Sequence, residues 1–262
     1  MATTTPLNID IIILSYARDE KLKSVTLDGL QTLLDSEDPA HIHFNIIVIE
    51  SNQTLAPYQY PSTTTVYPKK SFGYHKFMNI GIQMSHSPYV CICNNDLLFH
   101  KHWASEILKA FEADPTLYSA SPACSMHHPA QQISLQSGIH YGYEVRKELV
   151  GWCLFFKRDM LSITGKLDPA FKFWFADNDY SKTLQKYRLK HALVTSSMVD
   201  HLESTTLKTK ATTEQQKLTA GERFYYEYKW EGRSWLSYWN RKRKFKRDLL
   251  KQLKETKHEG KV

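Results

Sequence analysis

Residues 89–96 read YVCICNND, an apolar run that stops abruptly on three polar side chains. A short, uninterrupted apolar run fits a strand buried on both faces, and Asn94-Asn95-Asp96 supplies the side chains that end one. Two runs of the same kind lie upstream. Residues 9–14 (IDIIIL) give way to a polar break at 15–19, and residues 44–49 (FNIIVI) close on Glu50-Ser51-Asn52. Between them Leu22, Val25, Leu27, Leu30, Leu33 and Leu34 recur at helical spacing. A short strand is expected near residues 64–67, a helix after Gly73 and another over 103–111. This alternation predicts an α/β fold with a mainly parallel central sheet and flanking helices. Ligands of such sheets sit beyond the carboxyl ends of the strands, so residues 15–18, 50–52 and 94–96 are the first candidates.

The second half reads as strands over 132–140 and 150–156, a helix over 177–190 and a strand over 192–199. No Gly/Ser/Pro linker separates it, so it is expected to extend the same sheet, giving one domain over residues 1–210. From about Thr212 the chain turns helical and aromatic (RFYYEYKWEGRSWLSYW) and then basic, a separate extension over 211–262. The charge is as uneven as the pattern. Of the formal +7 in 262 residues, all is accounted for from Arg241 onward, where ten Lys/Arg face three acids. The 42% hydrophobic content excludes a disordered chain. No run reaches the ~18 apolar residues of a membrane span. Residues 1–6 have no basic segment followed by an apolar one, so no secretion signal is expected. Cys91, Cys93, Cys124 and Cys153 form no C-x-x-C pair, which fits a reduced, cytoplasmic protein.

Three groups of residues carry candidate chemistry. Asp96, flanked by Asn94 and Asn95, offers hard oxygen ligands suited to Mg²⁺ or Mn²⁺ on a diphosphate, although the tripeptide alone also reads as a turn. Asp177 and Asp179 follow an aromatic stretch (FKFWF) at a helix start. There they read either as an N-cap and a first-turn acid or as including a general base against aromatic walls. His201 ends a β-branched strand. The remaining histidines lack the spacing of a zinc site, and no dinucleotide, P-loop or Gly-x-Ser-x-Gly motif occurs.

In their order these elements resemble the family 2 glycosyltransferases of the GT-A fold, from about Ile9 to His201. IIILSYARDE resembles the family's first strand and nucleotide-contacting turn, and VIESN the second strand with its base-contacting acid. SFGYHKFMNIGIQMSHSPYVCICNND is similar to the segment that ends in the DXD motif, here in a rhamnosyltransferase-like NND form. The stretch from Gly151 through Asp179 resembles the acceptor-side turn and the Glu-Asp-x-Asp element, with Ala176 in place of its first acid and Leu167-Asp168-Pro169 as a divergent turn. VDH resembles the strand end whose histidine completes the metal site.

The resemblance implies a metal-dependent, inverting transfer from a nucleotide-diphosphate sugar to a hydroxyl acceptor. It implies Asp96 and His201 as metal ligands, Asp177 as the base and Asp179 as its neighbour, orienting or capping. Ser15, Tyr16, Arg18, Glu50, Asn52, Lys76, Asn79 and Asn95 are expected around the donor. Trp152 is either a sugar-stacking ring or a core tryptophan. The acceptor is expected to be a cell-surface or lipid-linked glycan. The basic tail would then lie on an anionic membrane surface, on the inner face of the membrane. Nucleic acid is the rival partner, as for a viral enzyme that glycosylates hydroxymethylated DNA bases. A solvated terminus is the plainest reading of the tail, and an inactive binding module remains a further alternative for the body.

Overall fold

The computed structural model describes residues 5–55, 57–202 and 212–259. A nine-stranded sheet carries the fold. The order of eight strands is β3 (Thr64–Val66), β2 (Ile42–Glu50), β1 (Leu7–Ser15), β4 (Tyr89–Asn94), β8 (Cys153–Lys157), β6 (Leu117–Ala123), β9 (Lys190–His201) and β5 (Leu97–Phe99). The ninth, β7 (Ile139–Tyr141), also pairs with β9. The first four of that order are mutually parallel; β8 is antiparallel to both its neighbours, so the sheet is mixed.

Strand β1 shows why the apolar runs are continuous. Its residues alternate between faces, and both faces are covered. Ile9, Ile11 and Ile13 pack with Leu30 and Leu33 of α1 (Glu20–Leu34) and with Trp103, Ile107 and Phe111 of α3 (Trp103–Ala113). Ile12 packs on the other face with Phe77, Met78 and Ile82 of α2 (Tyr74–Met84) and with Tyr180 and Leu184 of α6 (Ala176–Tyr187). The one acid in that run, Asp10, is buried but satisfied. It accepts from Arg158 Nη2 at 2.7 Å, Ser87 N–H at 2.6 Å, Ser87 Oγ at 2.7 Å and Asn45 Nδ2 at 3.1 Å. All four cysteines are free and buried.

One expectation in the second half needs correction, and one strand there was not expected. The strand expected over 132–140 is confined to β7, because Gln132, Gln136 and Gly138 have φ of 61°, 59° and 102°, which turn the chain instead of extending it. Strand β6 lies at the centre of this half without an apolar signature. The short helices α4 (His127–Ala130) and α5 (Met160–Thr164) complete the body.

The extension is a helical hairpin of α7 (Thr212–Trp230) and α8 (Trp235–Glu259). Gly232, at φ 70°, lies in the reversal between them. Helix α7 is part of the packing: Tyr226 joins Phe171 and Ala176 in a buried cluster, with Tyr74, Phe175, Tyr225 and Trp230 around it. The expected boundary at 210/211 lies outside the described residues. No helix among the described residues is long and apolar enough to cross a membrane.

Candidate active site

The backbone at the end of β4 is held from three sides. Asn94 N–H donates to Trp152 O at 2.9 Å, Leu202 N–H donates to Asp96 O at 3.0 Å, and Leu97 stands in register with His201 across β5 and β9. Helix α1 comes close enough that a Cβ on Gly29 would stand 2.9 Å from Leu97 O and 3.1 Å from Asn95 O. Asn95 Nδ2 donates to Thr26 Oγ1 of that helix at 2.8 Å. Asp96 is thereby fixed, buried, with its Oδ1 3.3 Å from His201 Nε2. The His201 ring lies flat on Trp152, with centroids 4.9 Å apart and planes 6° from parallel, and His127 meets the same indole edge-on at 5.0 Å. The buried Trp152 N–H has no acceptor among the described residues.

Asp177 comes to this group through Gly151. A Cβ built on Gly151 would stand 2.7 Å from Asp177 Cβ and 3.1 Å from its Oδ2, so only glycine admits the carboxylate there. Burial pushes the Asp177 carboxyl up, opposed by the N–H groups of Asn178 and Asp177 itself and by Arg146. Asp177 Oδ1 accepts the Asn178 N–H at 2.9 Å. Neither acid is an N-cap. That position belongs to Phe175, at φ 60°, a strained conformation for an aromatic residue, whose ring lies 5.2 Å from that of Tyr226.

Asp179 faces elsewhere. Its Oδ1 accepts from Lys229 Nζ at 2.7 Å and Trp230 Nε1 at 2.8 Å, and Lys229 also reaches Asp168 at 2.8 Å. Burial pushes Asp179 up against the pull of Lys229. At Asp168 burial works upward too, but Lys229 and the Ala170 N–H outweigh it and hold that carboxyl low. Asp168, Asp179, Lys229 and Trp230 line a pocket of about 180 Å³ between α6 and α7. A larger hollow of about 920 Å³ opens around Asn45 and Pro88 at the amino ends of the strands, so size alone does not mark the site.

Most of the expected donor-side residues are committed to the scaffold. Ser15 Oγ shares hydrogen bonds with Thr26 Oγ1 at 3.0 Å and Tyr60 OH at 3.2 Å. Glu50 accepts from Ala17 N–H at 3.1 Å, Asn52 N–H at 2.9 Å, Tyr58 OH at 2.9 Å and Tyr60 OH at 3.5 Å, which fills the acceptor capacity of a carboxylate. Asn52 Oδ1 takes the Thr54 N–H at 2.7 Å. Asn79 bonds Leu167 in both directions, at 2.7 and 3.1 Å, and so ties α2 to the Leu167-Asp168-Pro169 turn. The first N–H groups of α2 are also spent, Tyr74 on Lys172 O and His75 on Phe171 O. Lys76 Nζ donates to Ser71 O at 2.9 Å and Ser71 Oγ at 3.1 Å. Arg18 lies 3.6 Å from Asp19, with its side chain 46% exposed, and Tyr16 is partly buried at the end of β1.

Four residues with no signal in their spacing belong to the site's support: Gly151, Tyr226, Lys229 and Glu222. Glu222 accepts the Phe173 N–H at 3.0 Å, and burial pushes its carboxyl up to about 7. Among the described residues no group of three or more His, Cys, Asp or Glu gathers to hold a metal ion. Asp96 and His201 form a two-ligand set of one carboxylate and one imidazole. Those donors fit Mn²⁺ or Mg²⁺ provided that substrate oxygens and water fill the other positions.

Three solved structures share this architecture at sequence identities that show the fold alone. GalNAc-T7, solved with UDP, GalNAc and Mn²⁺, superposes with a TM-score of 0.61 at 10% identity, over 88% of this chain and 53% of that one. This chain therefore spans about half the length of that enzyme. Residues 1–349 of S. aureus TarS give 0.54 at 11% identity, over 74% of this chain and 59% of that one. The catalytic domain of Drosophila beta1,4galactosyltransferase 7, in complex with xylobiose, gives 0.52 at 12% identity, over 79% and 75%. The fold is thus GT-A. No curated protein matches the chain in sequence. The model of glycosyl transferase family 2 matches residues 10–153, more than half of the chain, from within β1 to just past the Gly151-Trp152 turn, and the chain belongs to that family.

Proposed function

We propose that the protein is a metal-dependent, inverting glycosyltransferase that moves a sugar from a nucleotide-diphosphate donor to a glycan hydroxyl, on a cell-surface or lipid-linked acceptor reached from the cytoplasmic side of a membrane. The observation that carries this reading is the meeting of Asp96 with His201 at 3.3 Å, with Asp177 packed against Gly151, the neighbour of the Trp152 that stacks on His201. Asn94-Asn95-Asp96 acts as a rhamnosyltransferase-like variant of DXD, with Asp96 as its single carboxylate. Asp96 and His201 would hold Mn²⁺ or Mg²⁺, which as a Lewis acid offsets the charge that the leaving diphosphate gains.

The chain's own groups supply the rest. Trp152 stacked on His201 fixes the imidazole plane. Asp177 takes the proton from the attacking hydroxyl. Its burial disfavours the charged form and so makes the carboxylate a stronger base, which is the direction general-base catalysis requires. Asp179, held by Lys229 and Trp230, positions the first turn of α6. Residues 1–210 form the transferase domain and 211–262 an extension whose first helix braces it.

A screen of nucleotide-sugar donors, with and without Mn²⁺, tests the reading. Asp96→Ala should abolish metal-stimulated donor turnover. Asp177→Asn should keep donor binding in calorimetry and lose transfer by about 10²–10⁴-fold. Full transfer by Asp177→Asn would remove that residue as the base.

A further inference from the structure

Helix α8 presents two faces of different character. At 100° per residue, Tyr238, Arg241 and Phe245 share one side. Tyr238 is buried against Tyr225 and Tyr228, Arg241 pairs with Glu227 of α7, and Phe245 meets Phe224 at 6.1 Å. Leu236, Trp239, Arg243, Lys246 and Arg247 share the opposite side, turned away from α7. Trp235 stands at its border, one edge against Tyr228 at 5.2 Å. Leu236 is 73% exposed, Trp235 49% and Trp239 40%. Three large apolar side chains therefore stand in water within about one helical turn. Arg243, Lys246 and Arg247, the next residues on that face, are exposed and have no acidic partner among the described residues.

The combination selects one partner chemistry. A solvated helix would have its cations but no reason to expose Leu236 between two indoles. A nucleic-acid duplex, its bases already stacked, would use the cations and leave the apolar turn wet. An anionic bilayer uses both, with indoles at the headgroup level, leucine at the acyl boundary and guanidinium or ammonium groups over lipid phosphates.

We propose that α8 docks the enzyme on an anionic lipid bilayer, with Trp235, Leu236 and Trp239 inserted and Arg243, Lys246 and Arg247 over the headgroups. The docked helix would hold the site close to the bilayer. Only residues 231–234 separate it from Trp230, whose indole holds Asp179. This deepens the membrane-side reading of the acceptor, and it rests on separate observations from the sugar chemistry.

The test is co-sedimentation of the full chain with vesicles of phosphatidylcholine alone or with added phosphatidylglycerol, read with tryptophan quenching by brominated lipid. Binding is expected only to the anionic vesicles. Combining Arg243→Gln, Lys246→Gln and Arg247→Gln should weaken it about a hundredfold. Combining Trp235→Ser, Leu236→Ser and Trp239→Ser should weaken it at least about tenfold and abolish the quenching. Both variants should keep vesicle-free donor turnover, whereas an unaltered chain that binds anionic vesicles but turns over no donor would count against the transferase reading and leave the docking face standing. The docking proposal is overturned by absence of vesicle binding or by binding that the apolar variant leaves unchanged. Tighter binding to duplex DNA than to vesicles would also overturn it. So would a dimer that the apolar variant converts to monomers without any vesicle binding.

Discussion

At the scale of single residues the candidate site depends on one missing side chain. Gly151 is a glycine because Asp177 occupies the space where its Cβ would stand, 2.7 Å from Asp177 Cβ. Gly151→Ala should therefore displace the first turn of α6 or the turn before β8, and leave Asp96 and His201, held by β5 and β9, in register. A misplacement of about 1 Å at a reacting group costs up to about a hundredfold in rate. The expected result is a fall of that order in kcat with the donor KM nearly unchanged, measured by steady-state kinetics. An equal rise in KM would mean that Gly151 serves donor binding instead. Asp96, Asp177 and His201 were readable as candidates because each stands at the end of a recognisable element. The internal commitments of Ser15, Asn79 and Asn95 were not, since their partners Tyr60, Leu167 and Thr26 lie far along the chain, and that of Glu50 depends on how the loop after β2 folds Tyr58 back onto it.

At the scale of elements, the strands that could be read are those whose burial is apolar. β1, β2 and β4 are covered on both faces and so spell continuous aliphatic runs. β6 (LYSASPA) is just as buried, but Ser119 shares a hydrogen bond with Tyr180 OH at 2.8 Å and Ser121 Oγ accepts the Val150 N–H at 3.1 Å. Polar satisfaction replaces hydrophobicity there, and periodicity cannot report it. Helix α7 is a similar case, because its role depends on contacts with residues 168–179. Lys229→Met would leave Asp179 buried without its cation, at a cost of roughly 3 kcal/mol in unfolding free energy. Glu222 gives the opposite sign. Its carboxyl is pushed up to about 7 by burial, so the folded chain keeps this proton to higher pH than the unfolded chain does. The stability it contributes is complete below the ordinary glutamate range and is lost as pH rises through about 7. Glu222→Gln should match the parent near pH 5 and exceed it by about 2 kcal/mol near pH 8, in denaturant melts at the two pH values. A variant less stable than the parent at pH 8 would show that the anion, and not the neutral acid, holds the Phe173 N–H.

For the whole molecule, the question is where the transferase body ends. The charge divides the chain near Arg241 and the family match ends at residue 153, yet the packing follows neither line. Tyr226 closes the cluster of Phe171 and Ala176, Lys229 bridges Asp168 and Asp179, and Glu222 holds the segment before the strained Phe175. Helix α8, by contrast, touches the body through α7, by way of Tyr238, Arg241 and Phe245. Two truncations should therefore behave differently. Ending the chain after Glu231 uncovers Tyr225 and Tyr228 and removes the Arg241–Glu227 pair, a loss of about 2 kcal/mol that a domain of ordinary stability survives. Donor turnover without vesicles should stay within about twofold of the full chain, because no group near Asp96 or Asp177 has moved. Ending it before Thr212 strips the cover from Phe171 and Ala176 and removes the cation between Asp168 and Asp179. Several buried aromatic contacts at about 2 kcal/mol each then approach the whole stability of a domain. That shorter chain should melt far below the longer one in calorimetry and lose transfer with it. If instead the two truncations melt together and turn over donor alike, α7 is an appendage and residues 1–210 are a self-sufficient enzyme.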